Sequence, residues 1–146
     1  MQATRIIAIR HGETDWNAAT RIQGHTDIAL NANGVEQARQ LGAALANEDI
    51  DAVYASDLSR AADTAQAIAT HHKLTVCTHT GLRERHFGYF EGLTWAAIEA
   101  KHAEDALAWR SRDTHFAPVG GESLEALKAR VLNTLNELAG KHMGQH

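Results

Sequence analysis

At 146 residues the chain has the length of one domain, enough to bury roughly 70% of the surface its unfolded form exposes. Apolar residues make up 44% and charged residues 22%, and 14 Lys+Arg against 18 Asp+Glu leave a net charge of −4, which argues against a disordered chain and a basic nucleic-acid-binding surface. A single cysteine, Cys77, excludes an internal disulfide framework. With no apolar run near the ~18 residues of a membrane span, and a first run too short for a signal peptide, the expectation is a cytoplasmic protein that does not engage membranes.

In chain order, residues 6–9 read IIAI, a short apolar run of the kind buried on both faces of a parallel sheet, followed directly by Arg10, His11 and Gly12. A polar loop extends to Leu30. The stretch NANGVEQARQLGAALAN then sets Val35, Ala38, Leu41, Gly42 and Leu45 on one helical face, with Asn31 as N-cap. AVYAS at 52–56 predicts a second strand, and Leu58, Ala61, Ala65, Ile68 and His72 recur at helical spacing after it. A short strand is predicted at 74–77, a glycine-punctuated loop over 78–92, and weaker helices over 94–101 and 105–112. Gly120-Gly121 opens a long helix whose buried face carries Leu124, Leu127, Val131, Leu135 and Leu138, with Gly140 as its stop. Alternating strands and helices predict an α/β fold: three layers, a mainly parallel sheet flanked by helices, in one domain over 1–146.

Ligands of open α/β sheets bind in the crevice outside the carboxyl ends of the strands, where Arg10 and His11 fall. A His there, followed by a Gly that lets backbone approach an anion, suits a nucleophilic imidazole facing a phosphate; Arg10 adds a planar cationic fork for its oxygens. Arg60, in SDLSRAADTAQA, and Glu84, in LRERHFGYFEG, also fall just beyond strand candidates, where the same crevice collects them. Each has a plainer alternative. Arg-His-Gly alone could be an ordinary polar turn, Arg60 a solvated helix charge paired with Asp57 or Asp63, and Glu84 a loop charge between Arg83 and Arg85. His71 and His72 read as partners of a helix C-terminus; His25, His79, His86, His102 and His115 show no metal-ligand spacing, and of these only His86 is expected to touch the pocket.

Together, RHGETDWN at 10–17, IQGHTDIALNANGVEQA at 22–38, ASDLSRAADTA at 55–65, LRERHFGYFEGL at 82–93 and GGES at 120–123 resemble the histidine phosphatase superfamily, which includes cofactor-dependent phosphoglycerate mutases. The resemblance implies that His11 is phosphorylated during turnover, that Arg10 and Arg60 clamp the transferred phosphoryl group, and that Glu84 donates a proton to the leaving oxygen. It implies a substrate pocket lined by Asn17, Gln23 and Gly24. Arg and His side chains around the equatorial oxygens stand in for a metal ion, so no metal or other cofactor is expected, except 2,3-bisphosphoglycerate for a mutase. The partner implied is a small phosphorylated metabolite.

The chain also departs from the family, whose members carry a second catalytic His just after a further strand that follows the GGES helix. The sequence reaches GKHMGQH without either, so the expectation is a domain incomplete at its C-terminal side, with His142 and His146 the candidate replacements and more ordinarily tail or helix-end charges. Only 35 residues, 85–119, separate Glu84 from Gly120, fewer than the mutases carry, which favours a phosphatase. The mutase-like ERHFG block keeps a mutase as one alternative, and a non-catalytic phospho-ligand-binding relative is another.

Overall fold

The computed structural model describes residues 3–146; Met1 and Gln2, which begin the stretch considered for a signal peptide, lie outside the described residues. The elements are a one-turn helix α1 (Asp15–Ala18), α2 (Ala32–Ala44), β1 (Val53–Ala55), α3 (Ser59–His72), β2 (Val76–Thr78), α4 (Trp95–Lys101), α5 (Ala103–Arg110) and α6 (Leu124–Lys141). β1 and β2 pair in parallel, Val53 opposite Val76 and Ala55 opposite Thr78, joined through α3 as parallel pairing demands. The class is therefore α/β, with a parallel sheet and flanking helices. α3 turns Ala65, Ile68 and Ala69 inward and packs on α2.

The predicted N-cap of α2 acts as expected: the Asn31 side chain accepts from the Gly34 N–H at 2.8 Å. Two helical expectations fail in detail. Val35 is 57% exposed, because α2 buries its small residues Gly34, Ala38 and Gly42 instead. Gly140 does not stop α6, which runs on to Lys141.

The larger correction concerns residues 6–9, which form no strand. A strand of a parallel sheet needs ladder partners along its edges, and none of the described residues pairs with this segment. Ile6 and Ile9 keep 54% and 40% of their surface exposed. With Val53, Tyr54, Leu135 and Leu138 they line an apolar cleft of about 550 Å³ that leads to Arg10 and His11. A cleft of this kind attracts apolar dyes and other chains. A chain of residues 1–146 is expected to enhance anilinonaphthalene sulfonate fluorescence and to sediment as more than a monomer; a monomer silent to the dye would mean that the cleft closes in solution.

A second apolar cluster lies between Glu84 and Gly120. Phe90 and Ile98, both 0% exposed, pack with Ala106 beneath Trp95, Trp109 and Phe116, joining α4 and α5 to the turn at Gly88–Phe90. Among the described residues no helix is long and apolar enough to cross a membrane.

Candidate active site

The Arg-His-Gly segment is held in place by α2 and α3 rather than by a sheet. The Gly12 N–H donates to Thr64 Oγ1 at 3.1 Å, and the Thr64 hydroxyl donates to the Arg60 carbonyl at 2.8 Å, so one threonine couples the His11 loop to the start of α3. Gly12 itself lies against α2: a Cβ there would sit 2.4 Å from the Gly34 carbonyl oxygen. Its small size therefore serves a backbone-to-backbone approach, where the sequence suggested an approach to an anion.

His11 donates from Nδ1 to the Gly12 carbonyl at 2.6 Å. A carbonyl can only accept, so this bond places the proton on Nδ1 and leaves the Nε2 lone pair free. Burial lowers the His11 pKa below its ordinary 6.5; the Gly12 carbonyl opposes this, Arg60 and Arg10 reinforce it, and Glu84 works against it. The neutral base is thus the form favoured at neutral pH. Because the folded pKa is depressed, the stability it contributes is present above about 6.5 and lost as pH falls through the folded value, the unfolded chain binding the proton more readily.

Arg60 is 1% exposed. It donates to the Gly24 carbonyl at 2.7 Å, the Thr26 carbonyl at 2.9 Å and Glu84 Oε2 at 3.1 Å. The plainer alternatives for both residues therefore fail: Asp57 pairs with Arg83 at 2.5 Å, not with Arg60, and Glu84 faces Arg60 rather than its sequence neighbours. Arg10 is exposed at the lining of the cleft that also takes in His11, Arg60 and Glu84. Asn17 and Gln23 line the same cleft. Asn17 belongs to the capping box of α1, and Gln23, buried, accepts from the Thr14 hydroxyl at 2.6 Å. Gly24 takes part through its carbonyl on Arg60. The structure therefore brings together residues from the first, second, third and fourth sequence blocks.

The histidines behave differently. His86 stacks on His25, ring centroids 4.4 Å apart, beside the cleft rather than in it. His142 bonds Tyr54 Oη at 2.9 Å through Nε2, and His146 is tied to Asp51 and the Asp49 carbonyl. Neither hydrogen-bonds His11, Arg10, Arg60 or Glu84. No cluster of three potential metal ligands occurs among the described residues.

Sequence reasoning missed Thr64 and Glu91. Thr64 stands one helical turn after Arg60, a spacing that could have suggested it. Glu91 accepts from His25 N, Thr26 N, Thr26 Oγ1 and Phe87 N, binding the second block to the fourth. Burial alone would raise the Glu91 pKa, but these hydrogen bonds outweigh it and hold the carboxyl below its ordinary range.

A parallel α/β frame here carries a free imidazole base, two arginines and a carboxyl in one cleft, the set of groups that phosphoryl transfer asks for. Residues 6–146 match the histidine phosphatase superfamily (branch 1), and the chain belongs to it. Relatives include phosphoglycerate mutase-like protein 4 of Arabidopsis thaliana, 43% identical over 96% of this chain and 62% of the relative, and the metal-independent phosphoserine phosphatase of the same plant, 41% identical over 99% and 62%. Among solved structures, mycobacterial glucosyl-3-phosphoglycerate phosphatase complexed with VO3 superposes with a TM-score of 0.82 at 39% identity, over 89% of this chain and 64% of that one. The chain thus spans about 62% of the length of these curated relatives.

Proposed function

We propose that the protein hydrolyses small phosphate monoesters through a phosphohistidine at His11. The observation that carries this reading is the His11 Nδ1–Gly12 carbonyl bond, which leaves Nε2 as a fixed base in the cleft that holds Arg10, Arg60 and Glu84. Nε2 attacks phosphorus, the ester P–O bond breaks, and Glu84 gives its proton to the departing oxygen. A water then attacks phosphorus, losing its proton to the Glu84 carboxylate, while the P–N bond breaks and returns its electron pair to His11. Arg10 and Arg60 offset the charge spread over the equatorial oxygens, so the reaction proceeds without a metal ion. Arg60 already binds Glu84, so an arriving phosphoryl group competes with that carboxylate for the same N–H.

Relatives named for phosphoserine and for glucosyl-3-phosphoglycerate support a small phosphorylated metabolite as the substrate class. The lone cysteine permits a reducing, cytoplasmic setting. The ERHFG block and a relative from Gloeobacter violaceus named as a 2,3-bisphosphoglycerate-dependent phosphoglycerate mutase, 33% identical, favour a mutase as the second reading. Phosphate release from p-nitrophenyl phosphate in the presence of EDTA tests the proposal, together with a mutase assay on 3-phosphoglycerate plus 2,3-bisphosphoglycerate. The expected result is chelator-resistant release and no isomerisation. Strict dependence on added magnesium contradicts the first reading, isomerisation supports the second, and phosphate binding without turnover leaves a binding protein.

The protonation state of His11 sets a further expectation. Attack requires neutral His11, so on the acid side kcat/KM holds down to pH values below 6.5 and falls only as pH passes the depressed His11 pKa. A pH–rate profile whose acid limb already lies above 6.5 contradicts this assignment.

A further inference from the structure

We propose that Arg130, together with Glu122, is a positioning residue for Glu84; the proposal rests on the reading of Glu84 as the proton donor. Arg130 projects from α6 onto the loop that carries Glu84. Its Nη1 donates to the Gly81 and Arg83 carbonyls, both at 2.9 Å, and its Nη2 to the Glu84 carbonyl at 3.2 Å. Nε and Nη2 also donate to the two oxygens of the Glu122 carboxylate. Glu122 in turn holds the far side of the donor residue: its carboxylate accepts from the His86 N–H at 2.9 Å, and its own N–H donates to the His86 carbonyl at 2.9 Å. The backbone is therefore clamped both before and after Glu84.

The approach of α6 to this loop is built in. A Cβ on Gly81 would lie 2.0 Å from Thr134 Oγ1, one helical turn beyond Arg130, so only glycine allows the loop so close. An ordinary surface ion pair between Arg130 and Glu122 would need none of the three carbonyl contacts, whereas a planar five-donor fork makes them all at once. A lysine at 130 keeps the charge and loses the fork. Arg130 makes no hydrogen bond to His11 or Arg60, so its influence on the chemistry passes through Glu84. This also gives the GGES block a role through Glu122.

The test compares two substrates, because a misplaced acid matters most when the leaving group is poor. In Arg130→Lys, kcat for an alkyl phosphate is expected to fall by about a hundredfold, the scale of a misplacement near 1 Å, with KM little changed and with hydrolysis of 2,4-dinitrophenyl phosphate nearly unaffected. Glu84→Gln should show the same leaving-group dependence, and the double variant should be no slower than Glu84→Gln alone. Glu122→Gln, which keeps shape and an acceptor, should show the pattern more weakly and decides the question if Arg130→Lys melts early. Equal losses on both substrates, or losses that multiply in the double variant, overturn the positioning role. A Glu84→Gln variant without leaving-group dependence overturns the donor reading instead.

Discussion

Replacing His11 with alanine is expected to lower phosphate release by roughly 10⁵–10⁶-fold, the scale on which loss of a covalent nucleophile is felt in other enzymes. With Nδ1 engaged by the Gly12 carbonyl, His11 presents one free lone pair to the cleft, and neither His142 nor His146 is hydrogen-bonded within the arginine cluster to replace it. The variant should nonetheless fold. The half-buried ring makes one hydrogen bond, to an adjacent residue, so its removal should shift stability by only about 0.5–1.5 kcal/mol. Steady-state rates with a thermal melt of the same preparation check both halves. Retained turnover in a folded His11→Ala protein would move the nucleophile elsewhere.

Arg60→Ala should damage folding and chemistry together. The guanidinium is 1% exposed and donates to two backbone carbonyls as well as to Glu84. Its loss leaves the Gly24 and Thr26 carbonyls without that donor, at about 1–3 kcal/mol for each that stays dry, against a total stability of only ~5–15 kcal/mol for a domain. It also removes a fixed positive charge from the transferring phosphoryl group, for which losses of about 10²–10³ in rate are typical. Arg60→Lys separates the effects: a single ammonium restores charge but cannot span both carbonyls and the substrate, so stability should recover more than turnover does. Urea unfolding beside kcat measures each part. An Arg60→Ala protein as stable and active as the parent would contradict both roles.

The site was more legible in the sequence than the sheet. His11, Arg60 and Glu84 each fall just beyond a predicted strand, and the structure gathers all three at one cleft even though residues 6–9 form no strand. The apolar run IIAI reads as buried on both faces, but burial depends on what lies alongside, and among the described residues no neighbouring strand supplies it. Val35 stays outside because α2 turns Gly34, Ala38 and Gly42 inward, Gly42 against α3 and Gly34 against Glu13, which periodicity alone does not reveal. Glu91, Glu122 and Arg130 left no periodic mark at all. They act through hydrogen bonds to backbone atoms far away in the chain, such as Arg130 to the Gly81 carbonyl, and only the fold creates those pairs.

A covalent phosphoryl group on His11 can be caught by rapid trapping. The protein is mixed briefly with a phosphate ester, quenched in base, digested and analysed by mass spectrometry, with a parallel sample treated with acid. Phosphate is expected on the peptide containing Arg10, His11 and Gly12, stable in base, lost in acid, and absent from His11→Ala. Phosphate that survives acid in the manner of a serine ester, or continued turnover by a protein that never carries a phosphoryl group, would contradict it.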